Sequence, residues 1–247
     1  MPMIYLSPST QEWNEYVTGS GSEEYNMNLL VDALEPYLRS NGIQYRRNRP
    51  EMTAASSIRE ANLGQYDLYL ALHSNASGAG SYGENRGIIA FYYPGSSNGR
   101  RAAELIAEQL RQIYPLPDQV TTRATTSLGE VRQPRFPSVL VEIGYHDNYD
   151  DAVWLEGHWD AIAQQLARAL TEYFGLPFIY PMEPASGTVA IQYGTLNLRD
   201  YPSSDGAILE NLPAGASVMV YGEWEGWYVV HYEGYVGYAA AAYINLD

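Results

Sequence analysis

The chain has 247 residues, 46% hydrophobic and 17% charged, a composition that can build a sizeable core and excludes a disordered chain. A net charge of −15 excludes nucleic-acid binding through a basic surface, since phosphate contacts need clustered Lys and Arg, and it disfavours attraction to anionic membranes. Cysteine is absent, which excludes disulfides, thiolate catalysis and thiolate zinc sites.

No run of about 20 apolar residues offers a bilayer span. Residues 1–10 lack the basic start and apolar middle of a signal peptide, so no leader is visible. Residues 3–6 (Met-Ile-Tyr-Leu) read as a buried strand. Residues 24–39 carry Met27, Leu30, Val31, Leu34 and Leu38 at helical spacing, and Asn41-Gly42 ends that helix. A short strand is expected at 43–47, then a helix at 53–63 with Thr53 as N-cap. Residues 67–72 form an apolar strand ending at His73, and 87–93 another, stopped by Pro94-Gly95. A helix is expected at 100–113, a long loop at 114–137, a strand at 138–143 and a last helical pattern at 152–174. Strands separated by helices predict an α/β fold, a mostly parallel sheet with helices on both faces. Polar residues after Leu6, Leu72 and Ile143 would then converge on one edge of that sheet.

The pattern predicts a domain at 1–178, a Pro-, Ser- and Gly-containing linker at 179–187, and a second domain at 188–247. In the latter, short Val- and aromatic-rich strands at 188–193, 217–221, 227–232 and 235–239 alternate with turns, the signature of a small β-barrel.

Of the four histidines, His73 and His146 follow buried strands. A catalytic zinc wants three N or O protein ligands and an open position for water, and a nearby carboxylate can carry the proton. On the residues alone, His73 reads equally well as a satisfied core histidine, Glu24 as a helix N-terminal charge and Glu142 as a strand-end carboxylate. His158 reads as structural and His231 as a pleat residue.

The segments Ser7-Pro8-Ser9-Thr10-Gln11, Glu24-Tyr25-Asn26-Met27-Asn28, Leu72-His73-Ser74-Asn75-Ala76, residues 87–93 and residues 141–148 resemble the zinc-dependent N-acetylmuramoyl-L-alanine amidases, in this order. The resemblance implies hydrolysis of the amide between N-acetylmuramic acid and L-alanine in peptidoglycan, with zinc as cofactor. It implies Glu24 and His73 as zinc ligands and Glu142 as the catalytic acid/base. The family's first histidine ligand is replaced by Thr10, with Gln11 beside it. Either His146 supplies the missing imidazole, helped by a turn at Gly144, or the domain is a metal-poor relic that binds wall without cutting it. A zinc peptidase acting on stem peptides is a third possibility. Gln11, Asn75, Arg86, Arg123 and Arg132 are candidates for substrate contacts, the arginines toward stem-peptide carboxylates.

Leu196-Asn197-Leu198-Arg199, Gly226-Trp227-Tyr228 and Gly234-Tyr235-Val236-Gly237-Tyr238 resemble bacterial SH3-like domains. That implies a wall-binding module, with Tyr201, Trp224, Trp227 and Tyr235 as a candidate aromatic groove. The expected setting is an extracellular or cell-wall monomer whose partner is peptidoglycan.

Overall fold

The computed structural model describes residues 1–247. The chain folds as two compact units: Met3–Leu34 with Tyr45–Tyr173, and Met1–Pro2 with Glu35–Gln44 and Phe174–Asp247.

The first unit is built on six strands: β1 (Met3–Pro8), β2 (Gln44–Arg47), β3 (Leu68–Asn75), β4 (Ile88–Tyr92), β5 (Val120–Ala124) and β6 (Ser138–Tyr145). Their order is β2-β1-β3-β6-β4-β5. The pairs β1–β3, β3–β6 and β4–β5 are parallel and β4–β6 is antiparallel, so the sheet is mixed but mostly parallel. The helices are α1 (Glu23–Ser40), α2 (Ala54–Ala61), α3 (Ser97–Arg111), α4 (Gly129–Arg132), α5 (Tyr149–Gly157) and α6 (Trp159–Phe174).

Alternation sorts the strand residues onto two faces. Tyr5, Tyr69, Ala71 and Leu140 share one face and pack with Ile58 and Ala61 of α2 and Val131 of α4. Ile4, Leu6, Leu70, Leu72, Val139, Val141 and Ile143 alternate with them and are buried on the other face. Thr53 caps α2 as expected, in a reciprocal pair with Ser56 that satisfies two otherwise orphaned N–H groups. α1 runs through Pro36, which removes one N–H from the helix ladder.

Two expectations change here. The segment 114–137 is not one loop, since it contains a 3-10 turn, β5 and α4. β5 is an edge strand with only Val120 buried, so its alternation is faint in sequence. The last helical pattern is two helices, because His158 leaves helical geometry at φ −132°.

The second unit carries an antiparallel SH3-like sheet of seven strands. These are β7 (Ala185–Val189), β8 (Thr195–Arg199), β9 (Ile208–Pro213), β10 (Ser217–Trp224), β11 (Trp227–Tyr232), β12 (Tyr235–Ala240) and β13 (Ile244–Leu246), ordered β13-β7-β10-β11-β12-β8-β9. Val189, Leu198, Leu212, Val220, Val230 and Ala239 fill its core. Two-residue turns join β10 to β11 and β11 to β12, with positive φ at Glu225-Gly226 and Glu233-Gly234 as the twist of tight hairpins requires. The stretch read as a linker is partly structured. Asn41 holds the backbone of Ile179 through bonds of 2.9 and 2.6 Å, and β7 begins at Ala185.

Candidate active site

The carboxyl ends of β1, β3 and β6 lie side by side, as the sequence predicts. His73 on β3 is the register partner of Glu142 on β6, so both side chains leave the sheet on one face. Glu23 reaches this face from the first turn of α1, where the helix dipole favours a carboxylate, and Glu130 reaches it from α4.

The four groups do not gather around one point. His73 is clamped from both sides: Nδ1 lies 2.8 Å from Glu23 Oε1, and Nε2 lies 2.9 Å from Glu130 Oε2. Both ring nitrogens donate to carboxylates only if the ring is an imidazolium. Burial would lower the His73 pKa, yet the hydrogen bonds and charges of Glu130 and Glu23 raise it well above the usual 6.5. Burial likewise works against the two carboxylates, and the histidine overcomes it, holding both below the ordinary range. Each carboxylate is completed by neutral donors. Asn14 Nδ2 bonds Glu23 at 2.7 Å, with Gln11 Nε2 more distant at 3.4 Å. Ser7 Oγ and Tyr69 OH bond Glu130 at 2.6 and 2.8 Å.

Glu142 stands apart from this saturated triad. Its Oε2 is sealed from solvent and has no hydrogen-bond partner. Burial pushes its carboxyl pKa up to about 7; His73 opposes the rise, and Glu23 and Glu130 add to it. His73, Glu130 and Glu142 line a cavity of about 610 Å³, walled also by Thr10, Gln11, Trp13, Met52 and Leu128. Trp13 is 70% exposed in that wall.

Residues 11–172 match the N-acetylmuramoyl-L-alanine amidase family Amidase_3, and residues 194–245 match the bacterial SH3 domain family. The chain belongs to the amidase family. It is similar to the N-acetylmuramoyl-L-alanine amidase LytC of Bacillus subtilis (strain 168), at 24% identity over 177 residues. That match covers 69% of this chain and 35% of the relative, so the chain spans about a third of the relative's length. Among solved structures, AmiC2 of Nostoc punctiforme has 18% identity and a TM-score of 0.61, covering 70% of this chain and 97% of that one. The catalytic domain of CwlV from Bacillus (Paenibacillus) polymyxa var. colistinus gives 18% identity and a TM-score of 0.61, over 72% of this chain and all of that one (100%). These structural likenesses carry the fold.

Several residues expected from the amidase resemblance occupy other roles. Glu24 is replaced at the site by its neighbour Glu23. Glu24 turns outward and accepts from Asn28 Nδ2 at 2.7 Å. His146 does not reach His73: its Nδ1 lies 2.9 Å from Ser74 O and 3.1 Å from Ser74 Oγ, and its ring stacks on Tyr16. A bulge between His73 and Asn75 in the β3–β6 pairing, with Gly144 at φ +71°, shifts the strand by one residue. That shift sends His146 to the opposite face from Glu142. Arg86 is tied to Asp151 and Asp150 at 2.8 and 3.0 Å rather than held out for a substrate. Asn75 Oδ1 accepts from the backbone of Ala76, and Gln11 joins Glu23 and Asn14. Arg132 is exposed on α4 without an ion pair, and Arg123 lies 6.0 Å over the Phe91 ring. Glu23, Glu130 and Trp13 are the site residues that sequence reasoning missed.

The zinc that the resemblance implies does not fit this donor set. The two nitrogens of an imidazole point in divergent directions, so an ion on Nδ1 would meet Glu23 and one on Nε2 would meet Glu130, never both. The turn that should bring a further histidine offers Thr10 and Gln11, weak donors for zinc. No group of three or more His, Asp or Glu side chains is arranged to hold an ion.

In the SH3 unit, Trp224 and Trp227 face each other across the β10–β11 turn and pack half-buried beside Val229 and Tyr238. Tyr201 and Tyr235 stand exposed, and neither lines the cavity that Trp227 borders. A cavity of about 540 Å³ is instead lined by Tyr193, Asn197, Arg199, Trp227 and Tyr243.

Proposed function

We propose that this chain is a peptidoglycan amidase that hydrolyses the bond between N-acetylmuramic acid and L-alanine, with Glu142 as the proton carrier and the SH3 unit as the wall anchor. Glu142 carries the reading: a carboxyl on the wall of a cavity, one of whose oxygens, Oε2, is buried without a partner, with a pKa pushed up to about 7 by burial. Such a group ionises near neutral pH, where a general base is most effective. Glu142 takes a proton from water as the water oxygen bonds to the lactyl carbonyl carbon. When the C–N bond breaks, the same proton passes to the departing alanine nitrogen. Trp13 offers an apolar face at the rim against which a sugar ring can lie. Metal-activated water has no part in this scheme, because the donor geometry does not suit zinc.

A second reading, a wall-binding protein that does not cut, is favoured by Thr10 in the ligand turn and by the saturated His73. Incubation with purified sacculi separates the two. An amidase releases stem peptides that begin with a free L-alanine, and a stem-peptide peptidase would release shorter fragments of different mass. A protein that sediments with sacculi and releases nothing supports the second reading and rejects the first.

A further inference from the structure

We propose that the Glu23–His73–Glu130 triad takes the structural place of a metal ion, so that this amidase-family domain holds its site together without a divalent cation. A bound metal does two structural things: it supplies a positive charge that lets several carboxylates be buried together, and it pins separate elements to one point. His73 does both here. Its two N–H groups bond carboxylates from α1 and α4, while Ser7 extends the link from Glu130 to β1. Four elements, β1, α1, β3 and α4, are thus tied through one imidazole.

The neighbours complete the substitution. Every oxygen of Glu23 and Glu130 has a donor: His73, Asn14 and Gln11 for the first, and His73, Ser7 and Tyr69 for the second. An incoming ion would have to break a buried charge-assisted bond, which such a cluster resists. Within the cavity, Thr10 and Gln11 offer no compensating ligand of comparable strength. This holds whether or not the domain cuts peptidoglycan.

The test uses the full chain, purified from zinc-replete medium without a metal-chelating tag. Metal content is measured, and melting is followed in EDTA and with zinc added in excess. The expected results are zinc far below one per chain and the same melting temperature in both conditions. An ion held at a site filled a hundredfold above its Kd would raise the melting temperature by roughly 5–10 °C. Glu130→Gln keeps the shape of the side chain but removes its charge. It is expected to lower the melting temperature equally in EDTA and in zinc. One zinc per chain, or stabilisation by zinc that disappears in His73→Ala, overturns the proposal. Such a result leaves the amidase reading standing, because that reading is judged by released peptides.

Discussion

Replacing Glu142 by Gln separates the stability cost of this residue from its function. Burial moves the carboxyl from 4.5 up to about 7 in the folded chain. Below pH 4.5 both folded and unfolded chains carry the proton, and the group costs nothing. As pH rises, the unfolded chain ionises first, so the folded state loses ground until pH passes about 7. At about 1.4 kcal/mol per tenfold change, the full cost is roughly 3 kcal/mol at pH 8. Glu142→Gln removes this term. The new amide is still buried beside no partner, a penalty of about 1–3 kcal/mol that does not depend on pH. The comparison of two pH values cancels it. Urea denaturation of both proteins is expected to show the variant gaining about 2–3 kcal/mol relative to the parent between pH 5 and pH 8. A difference between the proteins that stays constant across this range would refute the assigned environment of Glu142.

Glu23→Ala is expected to cost about 3 kcal/mol, because it strips the buried His73 Nδ1–H and Asn14 Nδ2 of their acceptor, whereas Glu24→Ala should cost less than about 1 kcal/mol; denaturation midpoints of the two variants decide which glutamate belongs to the site. Trp13→Ala should weaken the use of sacculi several-fold through KM while kcat and the melting temperature stay near those of the parent. Equal effects on kcat would assign Trp13 a different role. Turnover by the unaltered chain should rise as pH passes through about 7, since only ionised Glu142 accepts a proton, and a flat profile from pH 5 to 8 would remove Glu142 from that step.

The sheet, the long helices and the convergence of His73 and Glu142 were legible because buried strands and amphipathic helices leave strong periodic marks. The choice between Glu23 and Glu24 was legible too, though the family motif pointed to the second. Glu23 stands four residues before Met27 and seven before Leu30, both fully buried, so it lies on the inward stripe of α1. Glu24 stands four before Asn28, and both are only partly buried, so it sits at the edge of that stripe. His146 was misplaced for a different reason. An unbroken strand would put residues 142, 144 and 146 on one face, and only the bulge at Gly144 undoes that alternation. Glu130 left no signal, because a four-residue helix in a segment without periodicity gives no hint of what its side chain meets. β5 was hidden by its position at the sheet edge, where a strand can be largely polar.

The most direct test of the amidase assignment is chemical labelling of new amino termini on sacculi treated with the parent chain or with Glu142→Gln. Labelled L-alanine is expected from the parent and none above background from the variant. Labelled L-alanine released equally by both proteins would contradict that assignment.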